Sequence, residues 1–325
     1  MNKLETTYLG LNLKSPVIAA SSPFTSNTER IVQLEEAGAG AVVLKSVFEE
    51  QIAGEAASLE QYSDYPEAAD YLSRYLGGDY IKGFTDMIKE LKRRVRIPVI
   101  ASINCVSDGS WIDYAKTLEE AGADALELNI FIQPRTQVLR ADQIEEIYGS
   151  IVAEIAGKVR IPVSVKLANR FTNVLNVADE LYNRGAKGFV LFNRMFEPDI
   201  DVDRMEVVGA APLSVNSELR NSLRSVAFAS SVMPQADFAV STGVHTGDDV
   251  LKCLLAGAKA VEICTALYND GLQVIGKMNQ RVEAWMEKRD YTTVDQFRGL
   301  MNARLAPNGD IYGRVQYMRF FPTEG

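Results

Sequence analysis

EEAGADALELNI, residues 119–130, joins the end of one kind of element to the start of another. Two acidic residues close an amphipathic helical pattern, Gly122 follows, and a short run then places apolar Ala125, Leu126 and Leu128 around Glu127 and Asn129. A glycine at that point fits the residue after a helix, where a left-handed backbone costs a Cβ-bearing residue energy and glycine little. The phrase recurs as EEAGAGAVVLKS (35–46), NRGAKGFVLFNR (183–194) and LAGAKAVEICTA (255–266), with Gly38, Gly185 and Gly257 in the same place. Each apolar run reads as a strand covered on both faces, as in parallel sheets. A second phrase alternates with the first: RVRIPVIASIN (94–104) and KVRIPVSVKLA (158–168) enter a strand through Ile-Pro, where the proline sacrifices no interior ladder bond.

SPVIAASS and ADFAVSTGV complete a set of eight candidate strands, at 16–22, 41–47, 98–104, 125–131, 162–168, 188–194, 237–243 and 260–266. Helical patterns lie between them, so the expected fold is α/β, one (β/α)8 TIM barrel spanning residues 1–325. An open doubly wound sheet is the alternative. Two connections exceed simple loops, EEQIAGEAASLEQYSDYPEAADYLSRYLGG after strand two and FEPDIDVDRMEVVGAAPLSVNS after strand six. Both insertions leave the C-terminal strand ends, where barrel active sites are built, and they read as covers for a ligand or as a dimer contact. The tail from TTVDQFRGL onward is expected to pack on the barrel exterior or bottom.

The composition narrows the partners. With 47% hydrophobic residues a large core is available, and a formal net charge of -9 argues against nucleic acid or an anionic membrane. Three separated cysteines, no CxxC pair and a single histidine, His245, exclude most zinc and iron–sulfur sites built from this chain alone, and no metal is expected. The start lacks a signal peptide's apolar stretch and no segment offers the roughly 20 apolar residues that span a bilayer, so a cytoplasmic protein is expected.

Polar residues at C-terminal strand ends are the ones to weigh, because barrel interiors are otherwise filled with branched apolar side chains. Lys45 in AVVLKS and Lys166 in VSVKLA are the unusual pair. A lysine in such a strand costs several kcal/mol without a charged or strongly polar partner, so Lys166 is either functional or in a buried ion pair with Glu127 or another acid. STGVHTGDD after strand seven and EICTAL at strand eight supply small residues and backbone N–H groups, the usual phosphate site of this architecture. His245 reads there as a solvent-exposed loop residue. A phosphorylated planar cofactor across the barrel mouth satisfies the phosphate loops, the lysines, Asn129 and Asn193 together. Flavin mononucleotide (FMN) meets that demand, because a lysine beside the ring's N1/C2 carbonyl side favours the anionic reduced form.

From LGLNLKSPVIAASSPF to EICTALYNDG the sequence resembles the dihydroorotate dehydrogenase family, FMN-bound (β/α)8 barrels. The resemblance implies cofactor contacts at Ala20 and Ser21 in the opening turn, at Lys45 and Ser46, at Asn129 of ELN, and at Lys166. It implies further contacts at Thr242 and Gly243, which stand where the family has a Gly-Gly phosphate loop, and at Cys264, Thr265 and Ala266 of ICTAL. Asn193 matches a substrate-side asparagine. Lys45, Asn129 and Asn193 are thus the catalytic candidates. The implied protein is a cytoplasmic, homodimeric FMN oxidoreductase acting on a CH–CH bond, dihydroorotate to orotate in pyrimidine biosynthesis.

One departure bears on the reaction. In the family the strand-four asparagine leads into a loop whose Cys or Ser removes the substrate proton; here Ile130-Phe131-Ile132-Gln133-Pro134 follows. General-base catalysis typically contributes about 10²- to 10⁴-fold, so its loss cripples dihydroorotate oxidation without abolishing flavin chemistry. Cys105, Ser107 and Thr136 are replacement candidates, Cys105 being equally a small buried hydrophobe. The alternatives are a flavoprotein with another substrate and a phosphate-binding barrel lyase using Lys166 as a Schiff-base amine. No sequence feature selects the electron acceptor.

Overall fold

A computed structural model describes residues 3–48, 81–105, 111–195 and 197–313, apart from the side chains of Phe48, Cys105 and Trp111. The connection after strand two and Ser107 lie outside the described residues. An N-terminal hairpin of β1 (Thr6–Tyr8) and β2 (Leu11–Leu13) precedes β3 (Val17–Ala19), β4 (Ala41–Val43) and β5 (Val47–Phe48). β6 (Val99–Cys105), β7 (Ala125–Ile130), β8 (Val163–Leu167) and β9 (Gly188–Leu191) follow, then β10 (Pro198–Asp201), β11 (Glu206–Gly209), β12 (Asp237–Ser241) and β13 (Ala260–Ile263). The main sheet runs β4-β3-β13-β12-β9-β8-β7-β6, and Val42↔Val99 with Val43↔Ile100 joins β4 back to β6. All of these pairings are parallel, so the sheet is a closed eight-stranded barrel with helices between its strands, and the open-sheet alternative falls.

The two recurring phrases turn out to be the two sides of one joint. Gly38, Gly122, Gly185 and Gly257 take φ of 101°, 104°, 117° and 113°, the left-handed turn that lets each helix stop and its strand begin. The glutamate ahead of two of these glycines then reaches the next Ile-Pro entry. Glu35 Oε1 accepts from the backbone N–H groups of Arg96 and Ile97 at 2.9 and 3.2 Å, and Glu119 Oε1 from those of Arg160 and Ile161 at 2.7 and 3.0 Å. Proline cannot donate, but its carbonyl still joins the ladder: Leu126 N–H donates to Pro162 at 2.9 Å.

Side-chain alternation sorts the strands into two environments. Leu126, Leu128, Val163, Val165 and Leu167 face outward into the core beneath the helices. Ile18, Val43, Ile100, Ala125, Val190, Ala239 and Ala260 face inward and meet Tyr8, Leu9 and Leu13 of the N-terminal hairpin, which closes the barrel floor. The hairpin is fastened there by Leu9 N–H donating to Asp237 Oδ2 at 2.7 Å. Farther toward the C-terminal mouth the inward positions turn polar, with Ser102, Glu127, Ser164, Lys166 and Glu262 all buried.

The connection after β9 contains the antiparallel β10–β11 hairpin, with Ile200 paired to Val207. Residues 299–303 run along the outside, Gly299 N–H donating to Leu254 and Ala303 N–H to Ala227, as expected of the tail.

Candidate active site

A cavity of about 760 Å³ opens at the C-terminal mouth. That lies within the ~300–1,000 Å³ of small-molecule and cofactor sites. Its floor is the Lys166 ammonium, with Nζ 2.6 Å from Glu262 Oε2 and 3.7 Å from Glu127 Oε1. Burial alone pushes the Lys166 ammonium toward losing its proton, but Glu262 and Glu127 outweigh it and hold the group above the ordinary lysine range. For Glu127, burial first and the Glu262 charge second push the carboxyl well above the usual carboxylate range. Glu127 was the partner anticipated for Lys166; Glu262, which makes the shorter contact, was not.

Register carries these groups to one level. Asn129 of β7 is the partner of Lys166 on β8 and of Asn104 on β6. Asn193, just past β9, donates its Nδ2 to Asn129 Oδ1 at 2.9 Å, and both residues line the cavity. Ser21 and Ser46 meet at 3.1 Å between their hydroxyls, and Ser46 reaches Ser102 at 2.8 Å, so the opening turn and strand two are tied together on the cavity wall. Ala20 lines the same wall.

The opposite wall is the pair of turns after strands seven and eight. Thr242 and Gly243 have φ of 75° and 78°, and a Cβ on Gly243 would stand 2.4 Å from Leu219 N. Thr242, a β-branched residue held left-handed, donates its hydroxyl to Phe192 O at 3.0 Å. The following helix, Gly247–Ala256, is capped by Thr246, and Asp249 Oδ2 accepts from the His245 and Thr246 N–H groups, the Thr246 hydroxyl and the Asn216 amide. Cys264 and Thr265 complete this wall.

One residue here had not been singled out. Ser214, in the connection after β9, donates its N–H and hydroxyl to Thr265 Oγ1 at 3.0 and 2.9 Å. Its hydroxyl is also 3.2 Å from His245 Nε2, so His245 is half-buried and engaged rather than solvent-exposed. The insertion folds back onto the phosphate-type turns, a contact between residues 51 apart that no local pattern announces.

Three expected site residues stand apart from this cluster. The half-buried Lys45 and the fully buried Ala266 are not among the residues that line the cavity. Ala266 lies inside the short helix Thr265–Asp270 instead. Cys105 ends β6 opposite Ile130, and its side chain lies outside the described residues. In the loop after β7, Phe131 lines the cavity and also a smaller pocket of about 180 Å³, where Ile132, Gln133 and Pro134 lie. The Ile130 carbonyl is fixed by the Tyr148 hydroxyl at 2.9 Å. Among the described residues no cluster of His, Cys, Asp and Glu could hold a metal ion, and no helix is long and apolar enough to cross a membrane.

A parallel barrel with a buried lysine on its floor and tight turns after strands seven and eight is the architecture of a cofactor-binding barrel enzyme. The dihydroorotate dehydrogenase profile matches residues 3–286, and the chain belongs to that family. A putative dihydroorotate dehydrogenase A (fumarate) of Aeropyrum pernix is 30% identical over 305 residues, 92% of this chain and 96% of that protein. The catalytic subunit of dihydroorotate dehydrogenase B (NAD(+)) of Thermoplasma acidophilum is 27% identical over 306 residues, covering 92% and 99%. The corresponding Methanothermobacter thermautotrophicus subunit is 27% identical over 313 residues, covering 91% and 98%. The chain is therefore a dihydroorotate dehydrogenase-like oxidoreductase, of a flavoprotein family acting on a CH–CH bond.

Proposed function

We propose that the cavity binds FMN and that the protein oxidises or reduces a CH–CH bond next to a carbonyl in a small cyclic substrate, with dihydroorotate the first candidate. The observation that carries this reading is Lys166, a buried ammonium at the floor of a cofactor-sized cavity, level with the Asn129–Asn193 pair. The donor set fits the group: a lysine and amides for the ring, hydroxyls of Ser21 and Ser46 beside it, and the Thr242–Gly243 and Thr265 turns for a phosphate. Bound there, a flavin supplies the two-electron acceptor that no side chain offers. Lys166 supplies fixed positive charge, the two asparagines orient ring and substrate, and Phe131 keeps water from that side of the cavity. Ala20 and Cys264 are assigned to cofactor packing.

We further infer a cytoplasmic protein folded as one domain and paired with a second copy. The exposed Ile200, Val202, Met205 and Val207 of the β10–β11 hairpin support the pairing. The lyase alternative loses ground, because an ammonium held by two carboxyl groups above the ordinary lysine range is a poor amine nucleophile.

A second reading keeps the flavin and changes the substrate. It is favoured by Phe131, which occupies the cavity side of the loop where the resemblance leads one to look for a base. The purified protein should be yellow or take up FMN, and Lys166→Ala should weaken that binding; a protein that binds no FMN would sink both readings. Anaerobic mixing with millimolar dihydroorotate decides between them: bleaching of the flavin absorbance supports dihydroorotate, and an unbleached bound flavin supports another substrate.

A further inference from the structure

The cavity floor holds two carboxyl groups for one ammonium. Lys166, Glu127 and Glu262 are 6%, 1% and 1% exposed, inside a barrel closed from below by Tyr8, Leu9 and Leu13. Glu262 Oε2 makes the short contact to Lys166, while Glu262 Oε1 and Glu127 Oε1 accept no hydrogen bond from the protein. With both carboxyls ionised the group would carry a net negative charge on side chains that are almost wholly buried. Burying an uncompensated charge costs several kcal/mol, and two carboxylates at one site avoid it by keeping one proton.

We propose that Glu127 and Glu262 hold a single proton between them beside Lys166, so that the three side chains together carry no net charge. Glu262, at 2.6 Å, is the carboxylate of the ion pair, and Glu127, at 3.7 Å, carries the proton. The pressure on the Glu127 carboxyl points the same way, since burial and the Glu262 charge both raise it. The remaining groups facing the cluster leave the charge count unchanged. Tyr8, from the hairpin below, is held neutral by burial and by Glu262, Glu127 and Asp237; Asp237 is paired with Lys259. Cys264, at the mouth, is held as a thiol chiefly by burial. Ser102 and Ser164 contribute only neutral hydroxyls.

The consequence for a cofactor rests on the flavin reading. A flavin against Lys166 then meets a neutral floor instead of a cationic one, and the Glu127–Glu262 pair sets this together, as positioning residues acting through Lys166. The charge of the floor, more than the presence of the lysine, is what tunes the ring's affinity for negative charge.

The direct test is infrared spectroscopy of the whole protein near neutral pH. A protonated carboxyl C=O stretch, shifting in D2O, is expected in the wild type and should vanish in both Glu127→Gln and Glu262→Gln, because either remaining glutamate ionises to pair with Lys166. No such band in the wild type, or a band that survives in Glu262→Gln, overturns the shared proton. Titration of the FMN-loaded protein with sulfite, an anion that adds to flavin N5, gives an independent readout. Each single variant should stay within about threefold of wild type, while the double Gln variant, left with an unpaired ammonium, should bind sulfite about tenfold tighter or more, the effect of a charge a few ångströms away. Tenfold tightening by a single variant means both carboxyls were ionised and also overturns the proposal. Failure of the chain to bind FMN at all sinks the flavin reading, while the infrared band still decides the proton.

Discussion

Replacing Lys166 by Met removes the ammonium from the barrel floor and keeps the length of the side chain. Glu262, 1% exposed and 2.6 Å from Lys166 Nζ in the wild type, would then be a carboxylate with no counterion. It escapes that penalty by taking a proton. The cost of doing so sets the loss of stability, because a glutamate titrates at about 4.3 in the unfolded chain and about 2.7 pH units separate that from pH 7, worth about 3.7 kcal/mol. Glu127, already protonated, adds nothing. The sign follows from linkage: the folded variant binds one proton more than the wild type relative to the unfolded chain, so its extra instability grows with pH by about 1.4 kcal/mol per unit. Chemical denaturation of ligand-free wild type and Lys166→Met, followed by tryptophan fluorescence, should show a deficit of about 3–4 kcal/mol at pH 7 that shrinks to about 1 kcal/mol at pH 5. A deficit independent of pH would refute the buried carboxylate. A deficit twice as steep would mean that both glutamates were ionised in the wild type.

Gly243→Ala places a Cβ 2.4 Å from Leu219 N on a backbone at φ 78°. Left-handed strain of about 1–2 kcal/mol plus overpacking of about 1–3 kcal/mol should lower the melting temperature by several degrees and weaken FMN retention, both read in one thermal-shift series with and without FMN. Tyr148→Phe removes the hydroxyl that donates to the Ile130 carbonyl at 2.9 Å, leaving a buried acceptor unpaired at a cost of about 1–2 kcal/mol. That hydroxyl's pKa is pushed up to about 12 by burial, so the wild-type advantage in denaturation should be flat between about pH 6 and 9; a pH-dependent advantage would contradict the bond.

What the sequence displayed was whatever is decided locally. A helix ending in a left-handed turn needs glycine at one position, so Gly38, Gly122, Gly185 and Gly257 mark four joints by chemistry alone. Lys166 and Asn129 stood out likewise, as polar residues at C-terminal strand ends in a barrel whose interior is otherwise filled with branched apolar side chains. What was not legible depends on closure. Glu262 meets Lys166 across 96 residues because β13 and β8 contribute inward positions at the same level of one barrel, and nothing in AVEI distinguishes a barrel-floor acid from a strand-edge charge. The hidden signal was the inward parity of Glu262 itself, two residues after Ala260. Ser214 was missed, and His245 was read as exposed, for the opposite reason: the strand-six insertion has no period to read, and only its return against Thr265 brings Ser214 to His245.

The departure in the loop after β7 leaves the site without the base that the resemblance leads one to look for. On the cavity side of the β7 loop stands Phe131, which can neither take nor give a proton. The titratable side chains that do line the cavity are unsuited to remove one near neutrality: Glu262 is engaged by the Lys166 ammonium, burial and the Glu262 charge push the Glu127 carboxyl up, burial pushes the Cys264 thiol and the Tyr268 phenol up, and Arg194 is bound to Glu218 and to the carbonyls of Pro212 and Ala211. Removal of a proton from a weakly acidic carbon therefore finds no base among these described residues, and the substrate such a wall suits is one whose C–H is acidified by its own carbonyl groups. Primary and solvent deuterium isotope effects on flavin reduction would then be separable, with the hydride-transfer effect large and the solvent effect small. A large solvent effect that disappears in Cys264→Ala would instead make that thiol the base, against its burial.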